Sequence, residues 1–339
     1  MKILVFRPDQ LGDVILATPV FENLKNNYPD AEIISLTGTW AKKIIDNNPF
    51  IDKKIYYDYA FFNRDKKYKI HQIILNIFNL IRIVRKEKID IFVDLKSHLK
   101  SLLICYTSNA KTMVGKSNGF KGLLLNLKIQ YRTDIYELEN NLNVISTFCE
   151  VKTKKINLYP YGNDLINIKS SEKKNKKIVS IFPYAPSPIK RLPSSYWQKI
   201  IFLLNTKNIT VFLLGAKDSL NFIKQINYDK STNKSFIGKY TVYESYQILK
   251  QTDYCITLDT FGSHLANAAD IPTFVIYTYA NPKQWSPKSD YNYFIHKKFN
   301  CFPCNVPFNL EICKYDNRCL RSITYNEFEE KVKKFIDIK

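Results

Sequence analysis

No apolar run in this chain of 339 residues is long enough to cross a bilayer. Its opening, MKILVFRPDQ, passes straight into a strand and a loop, where a secretory leader would show a basic start and an apolar core. A cytoplasmic protein is therefore expected. Glycine is missing where it would say most. The first strand-loop-helix contains Gly12 alone, which excludes both the dinucleotide-binding fingerprint and a Walker-type phosphate loop. Acid is in deficit as well, with 31 Asp and Glu against 51 Lys and Arg and a formal charge of +20. Such an excess favours nucleic acid, an anionic membrane leaflet or an anionic substrate. No aromatic-basic RNA motif or recognition helix accompanies it, so no specific nucleic-acid partner is expected.

What is present points to two α/β domains. The hydrophobic content of 45% over this length is enough for two cores. Strands alternate with helices in both halves, which indicates parallel sheets. The first half begins with a buried strand, Lys2 to Phe6. A helix from about Asp13 to Asn27 follows, which Pro19 should kink or start late. We expect an N-terminal domain over 1–151, an interdomain segment over 152–177, a C-terminal domain over 178–322, and a last helix over 323–339 that returns to the first domain.

Four places carry chemistry. Asp13 stands at a helix entrance at the end of the first strand, where it is either a helix-end charge or a group turned to a cleft. Residues 95–133 contain no acid but include Lys96, Lys100, Lys111, Lys116, Lys121, Lys128 and Arg132, either a solvated face or a site for an anionic acceptor. Around Tyr254 to Pro287 the pattern is strand, polar turn, helix and strand. In the turn, Asp259 precedes Thr260, Gly262, Ser263 and His264. It either caps a helix or, through backbone N–H groups and side-chain donors, binds a phosphate. Lastly, Cys301, Cys304, Cys313 and Cys319 are spaced C-x2-C-x8-C-x5-C, and in a reducing compartment suit a structural metal, zinc first and iron second, or remain four thiols. Cys105, Cys149 and Cys255 lie singly in apolar surroundings as packed thiols.

Three of these stretches together resemble the heptosyltransferases, glycosyltransferase family 9. The first is Arg7-x-x-x-Leu11-Gly12-Asp13 before an apolar helix and a proline. The second runs from Lys190, in a Pro/Ser-rich loop, to Trp197. The third joins the Asp259-Thr260 turn to His264, a Pro272-led strand and Trp285-Ser286-Pro287. The family usually places its glycine two residues after the aspartate, whereas here Phe261 takes that place and Gly262 follows.

The resemblance implies a GT-B fold, with two Rossmann-like domains facing across a cleft, the acceptor on the N-terminal side and the sugar nucleotide on the C-terminal side. It implies inverting transfer of a heptose from ADP-heptose to a lipopolysaccharide core acceptor, with Asp13 as general base. Lys190, Asp259, Thr260, Gly262, Ser263 and His264 would hold the diphosphate, and Arg7, Lys96 and Lys100 the acceptor. No catalytic divalent metal is implied. An anionic lipid-linked oligosaccharide as acceptor places the enzyme in the cytoplasm, peripheral to the inner membrane. Two alternatives stand beside this: a related transferase with another sugar nucleotide or a protein acceptor, and a basic nucleic-acid-binding protein with a metal ribbon.

Overall fold

The structure, a computed structural model, describes residues 1–63, 68–159, 176–286, 292–302, 304 and 313–337. The chain divides into two compact units, Met1–Tyr161 and Gly162–Lys339. Of the expected interdomain segment, residues 160–175 lie outside the described residues.

In the first unit, β1 (Lys2–Phe6), β2 (Glu32–Thr37), β3 (Lys53–Tyr56), β4 (Ile91–Asp94), β5 (Thr112–Lys116) and β6 (Leu127–Ile129) form one parallel sheet. The order is β3-β2-β1-β4-β5-β6. The run Ile3, Leu4, Val5, Phe6 is buried on both faces, as a central parallel strand with helices on either side requires. One face receives the helices Ile70–Lys86 and Leu99–Thr107, whose Leu80, Val84, Leu102 and Cys105 meet Leu4, Phe6, Leu36 and Phe92. The helices Thr18–Asn27 and Glu137–Ile145 pack together elsewhere in the unit. The single helix expected over 13–27 is two, Leu11–Ile15 and Thr18–Asn27. Pro19 stands in the first turn of the second, where its missing N–H costs no helical bond.

The second unit repeats the plan with β7 (Ile178–Phe182), β8 (Thr210–Leu213), β9 (Lys234–Ser235), β10 (Tyr254–Leu258), β11 (Thr273–Tyr277) and β12 (Asn292–His296). The order is β12-β11-β10-β7-β8-β9. In each sheet the order reverses beside the first strand: between β1 and β4, and between β7 and β10. Open parallel sheets bind ligands outside the carboxyl ends of their strands at this switch point.

The last helix, Tyr325–Ile336, differs from expectation. It places Phe328, Val332, Phe335 and Ile336 in the core of the second unit, where Phe328 meets Trp197 edge-on at 5.7 Å and Phe335 meets Tyr254 at 5.3 Å. Its apolar residues recur at helical spacing, which marks a buried stripe without saying which sheet the stripe covers. No helix among the described residues is long and apolar enough to cross a membrane.

Candidate active site

Each unit carries a constellation at its own switch point. In the first, Arg7 follows β1 and the chain turns through Asp9 and Gln10 into the helix Leu11–Ile15, with Asp13 in its opening turn. The Asp13 carboxylate accepts from the Gln10 backbone N–H at 3.2 Å and from Arg7 Nη2 at 2.9 Å. Its side chain keeps 20% of its surface open, against 3% for Arg7. A carboxylate so held is fixed in orientation and still reachable.

Arg7, expected at the acceptor, is the buried hub of an ion network. Its Nη1 donates to the Leu95 carbonyl at 2.6 Å and to Asn141 Oδ1 at 3.3 Å, and its guanidinium pairs with Asp9, Asp13 and Glu137. Burial works against its charge, but those three carboxylates hold it above the ordinary arginine range. Lys116 Nζ reaches Glu137 Oε1 at 2.7 Å and is itself buried, and burial pulls its ammonium below the usual range despite Glu137. Lys96 Nζ lies 2.6 Å from Asp9 Oδ1, and burial of Asp9 is overcome by Lys96 and Arg7, which keep that carboxyl below its ordinary range. Lys100 stays exposed, its ammonium 4.2 Å from the centre of the Phe61 ring. Lys96 is thus part of the Asp9–Arg7 network, whereas Lys100 faces solvent.

Asp94, at the end of β4, went unnoticed in the sequence. It accepts from the backbone N–H groups of Lys96 at 3.0 Å and Ser97 at 2.8 Å and from Ser101 Oγ at 2.7 Å, yet burial pushes its carboxyl up from 3.8 to about 6. The folded state therefore keeps a proton that the unfolded chain has already lost. Stability should fall as pH rises from about 4 to about 6, by roughly 2–3 kcal/mol at ~1.4 kcal/mol per unit. Asp94→Asn retains an oxygen for the two N–H groups and should flatten that slope in denaturant melts across this range. A variant with the parental slope would assign the effect to another group.

In the second unit, β10 ends at Leu258 and Thr260 caps the helix Phe261–Ala268, its Oγ1 accepting from the Gly262 N–H at 3.3 Å. The first turn of that helix presents backbone N–H groups at the carboxyl edge of the sheet, the arrangement that favours an anion. Gly262 is required by close approach: a Cβ there would lie 2.7 Å from Cγ of Phe182 at the end of β7. His264 is buried with its ring 6.1 Å from that of Trp285. Ser263 is buried too, its hydroxyl donating to the Thr260 carbonyl at 2.7 Å.

Lys190 comes from the short 3-10 helix Pro188–Lys190 that follows β7 and meets this turn. Its Nζ donates to both the carbonyl and the carboxylate of Asp259, each at 2.7 Å, and lies 4.8 Å from the centre of the Tyr279 ring. Burial opposes its charge, but Asp259 and Tyr279 hold it above the ordinary lysine range, so it is a fixed cation. Tyr279, just beyond β11, is a neighbour the sequence did not single out. Pro287 of the Trp-Ser-Pro loop lies outside the described residues.

Among the described residues, no group of three or more His, Cys, Asp or Glu side chains is arranged to hold a metal ion. Cys301, Cys304, Cys313 and Cys319 are half-buried free thiols. The Cys319 thiol is pushed up by burial and, to a lesser degree, by the charges of Cys313, Cys301 and Cys304.

Residues 77–313 match glycosyltransferase family 9 (heptosyltransferase). The chain is 24% identical over 294 residues to lipopolysaccharide heptosyltransferase 3 of Escherichia coli, covering 82% of this chain and 84% of that protein. The structure of the E. coli heptosyltransferase WaaC with ADP-2-deoxy-2-fluoro heptose is similar at a TM-score of 0.71 and 14% identity, over 98% of this chain and 99% of that one. The iron-containing dodecameric glycosyltransferase TibC from enterotoxigenic E. coli is similar at 0.56 and 13%, over 99% and 78%. The fold is GT-B, and the family match covers well over half of the sequence. The chain belongs to glycosyltransferase family 9, the heptosyltransferases.

Proposed function

We propose that this glycosyltransferase moves a heptose from ADP-heptose to an anionic, lipid-linked lipopolysaccharide core acceptor, with inversion at the anomeric carbon. The observation that supports the donor half is Lys190, a half-buried cation fixed on Asp259 at the head of the helix Phe261–Ala268. An acceptor hydroxyl attacks the anomeric carbon, and its proton passes to Asp13. As the new C–O bond forms, the bond to the β-phosphate oxygen breaks and its electron pair leaves with ADP. Lys190 and the N–H groups of the helix's first turn meet the charge that grows on that oxygen. Arg7 positions Asp13, and the exposed Lys100 is the acceptor-side cation.

A panel of nucleotide sugars tested for protection against thermal unfolding checks the donor. A ligand that binds only the folded protein stabilises it by about 2.7 kcal/mol at a hundred times its dissociation constant. ADP-heptose should raise Tm where other nucleotide sugars do not. Protection by a different nucleotide sugar alone would overturn the donor.

The cysteine cluster has a separate role. Cys301, Cys304 and Cys313, each near enough to act on Cys319, would with it supply four thiolates of the chemistry that suits zinc or iron, and a bound ion would draw them together as a structural clip. Protein purified without chelator should contain about one such ion per chain. Elemental analysis that finds neither, with four titratable thiols in the folded protein, would remove the metal.

A further inference from the structure

The first unit carries an apolar surface with no counterpart in the chemistry described so far. The helix Ile70–Lys86 has two apolar stripes. Leu80 and Val84 face the sheet, while Leu75 and Phe78 stand on the opposite side, with Phe78 66% exposed, and Ile70 and Ile74 are exposed in the first turns. The helix Leu99–Thr107 packs beside it on the same face of the sheet, so its outer side turns the same way, bearing Leu99, Leu103 and Tyr106. Adjoining that helix is the 3-10 helix Phe120–Leu124, where Phe120 is 73% exposed and Leu123 is 82% exposed. A soluble protein rarely leaves so many large apolar side chains side by side without a partner for them.

Charge selects the partner. None of these three helices contains a single Asp or Glu, and the outward stripe of the first continues into the exposed Arg82, Arg85 and Lys86. Arg85 reaches across the seam, its Nε donating to the Thr107 carbonyl at 2.7 Å. A second copy of the chain would bring cations against cations. An anionic lipid surface offers an acyl boundary for the apolar side chains and headgroup charge for the arginines. We propose that the face formed by residues 70–86, 99–107 and 120–124 docks the enzyme on an anionic membrane leaflet. The inference deepens the reading of a lipid-linked acceptor and rests on it. It also gives the acid-free stretch a division of labour: Lys116 turns inward to the ion network, while Leu103, Phe120 and Leu123 turn outward to lipid.

Flotation of the full chain with vesicles of phosphatidylcholine, with and without phosphatidylglycerol, tests it. The parent should float with anionic vesicles at low salt and release at high salt. Phe78→Ser/Leu123→Ser, both at exposed positions, should lower vesicle binding by about tenfold or more. Arg82→Glu should weaken binding to anionic vesicles only. Thermal protection by ADP-heptose should be the same in parent and variants, so loss of docking is distinguishable from failure of the donor reading. Equal flotation of parent and double variant overturns the proposal, as does a parent that ignores anionic vesicles. A parental dimer that the double variant turns into a monomer overturns it too, and gives the face to a second copy.

Discussion

Asp13→Asn should fold, bind nucleotide sugar nearly as the parent does, and lose transfer by about two to four orders of magnitude, the usual contribution of a general base. The two carboxylate oxygens now accept separately from Arg7 Nη2 and the Gln10 N–H. An amide offers one acceptor for these two donors, so the variant gives up one hydrogen bond, about 1 kcal/mol. Arg7 keeps Asp9 and Glu137 as partners, and the buried hub is not left unpaired. Thermal melts and donor protection are therefore the controls, and single-turnover transfer is the readout. A variant that transfers sugar at close to the parental rate would make Asp13 a helix-end charge and place the base elsewhere.

Lys190→Ala should act on both stability and chemistry. Asp259 keeps only 7% of its side-chain surface open, and removing its cation leaves a buried charge uncompensated, at a cost of roughly 3–5 kcal/mol. Transfer should fall by about 10²–10³, the range seen when one fixed donor to a developing oxyanion is removed. The two effects separate in the double variant Lys190→Ala/Asp259→Asn, which removes the orphaned charge as well. Its melting temperature should return most of the way to the parental value while transfer stays low. Recovery of transfer along with stability would show that Lys190 only neutralises Asp259 and takes no part with the diphosphate.

The readable parts of this protein are those whose partners are near in sequence. The buried run Ile3 to Phe6 and the strand Tyr254–Leu258 follow from local pattern, whereas the helix cap considered at Asp259 falls on Thr260. Lys190 was legible through the motif around it, although its contact with Asp259 spans 69 residues. The network of Arg7 is not legible locally, because its partners Leu95, Glu137 and Asn141 lie 88 to 134 residues away. Lys116 reads as surface charge, since lysine is seldom buried, and its burial is made tolerable by Glu137 and Asn141 on a later helix. The abundance of lysine in residues 95–133 also hid the helix Leu99–Thr107 and the strands β5 and β6. Asp94 gave no signal at all, because an acid at a strand end looks the same whether water or Ser101 receives it.

The packing of the helix Tyr325–Ile336 bears on how the protein is made. All parts of the first unit have been synthesised by residue 161, and the apolar cluster around Leu4, Phe6 and Phe92 draws only on residues before it. The second unit's core takes four side chains from residues 328–336, so it stays incomplete until that helix leaves the ribosome. At elongation rates of about 5–20 residues per second the interval is roughly ten to thirty seconds. The half that carries Asp13 and the acid-free apolar face can thus be folded well before the half that carries Lys190 closes its core.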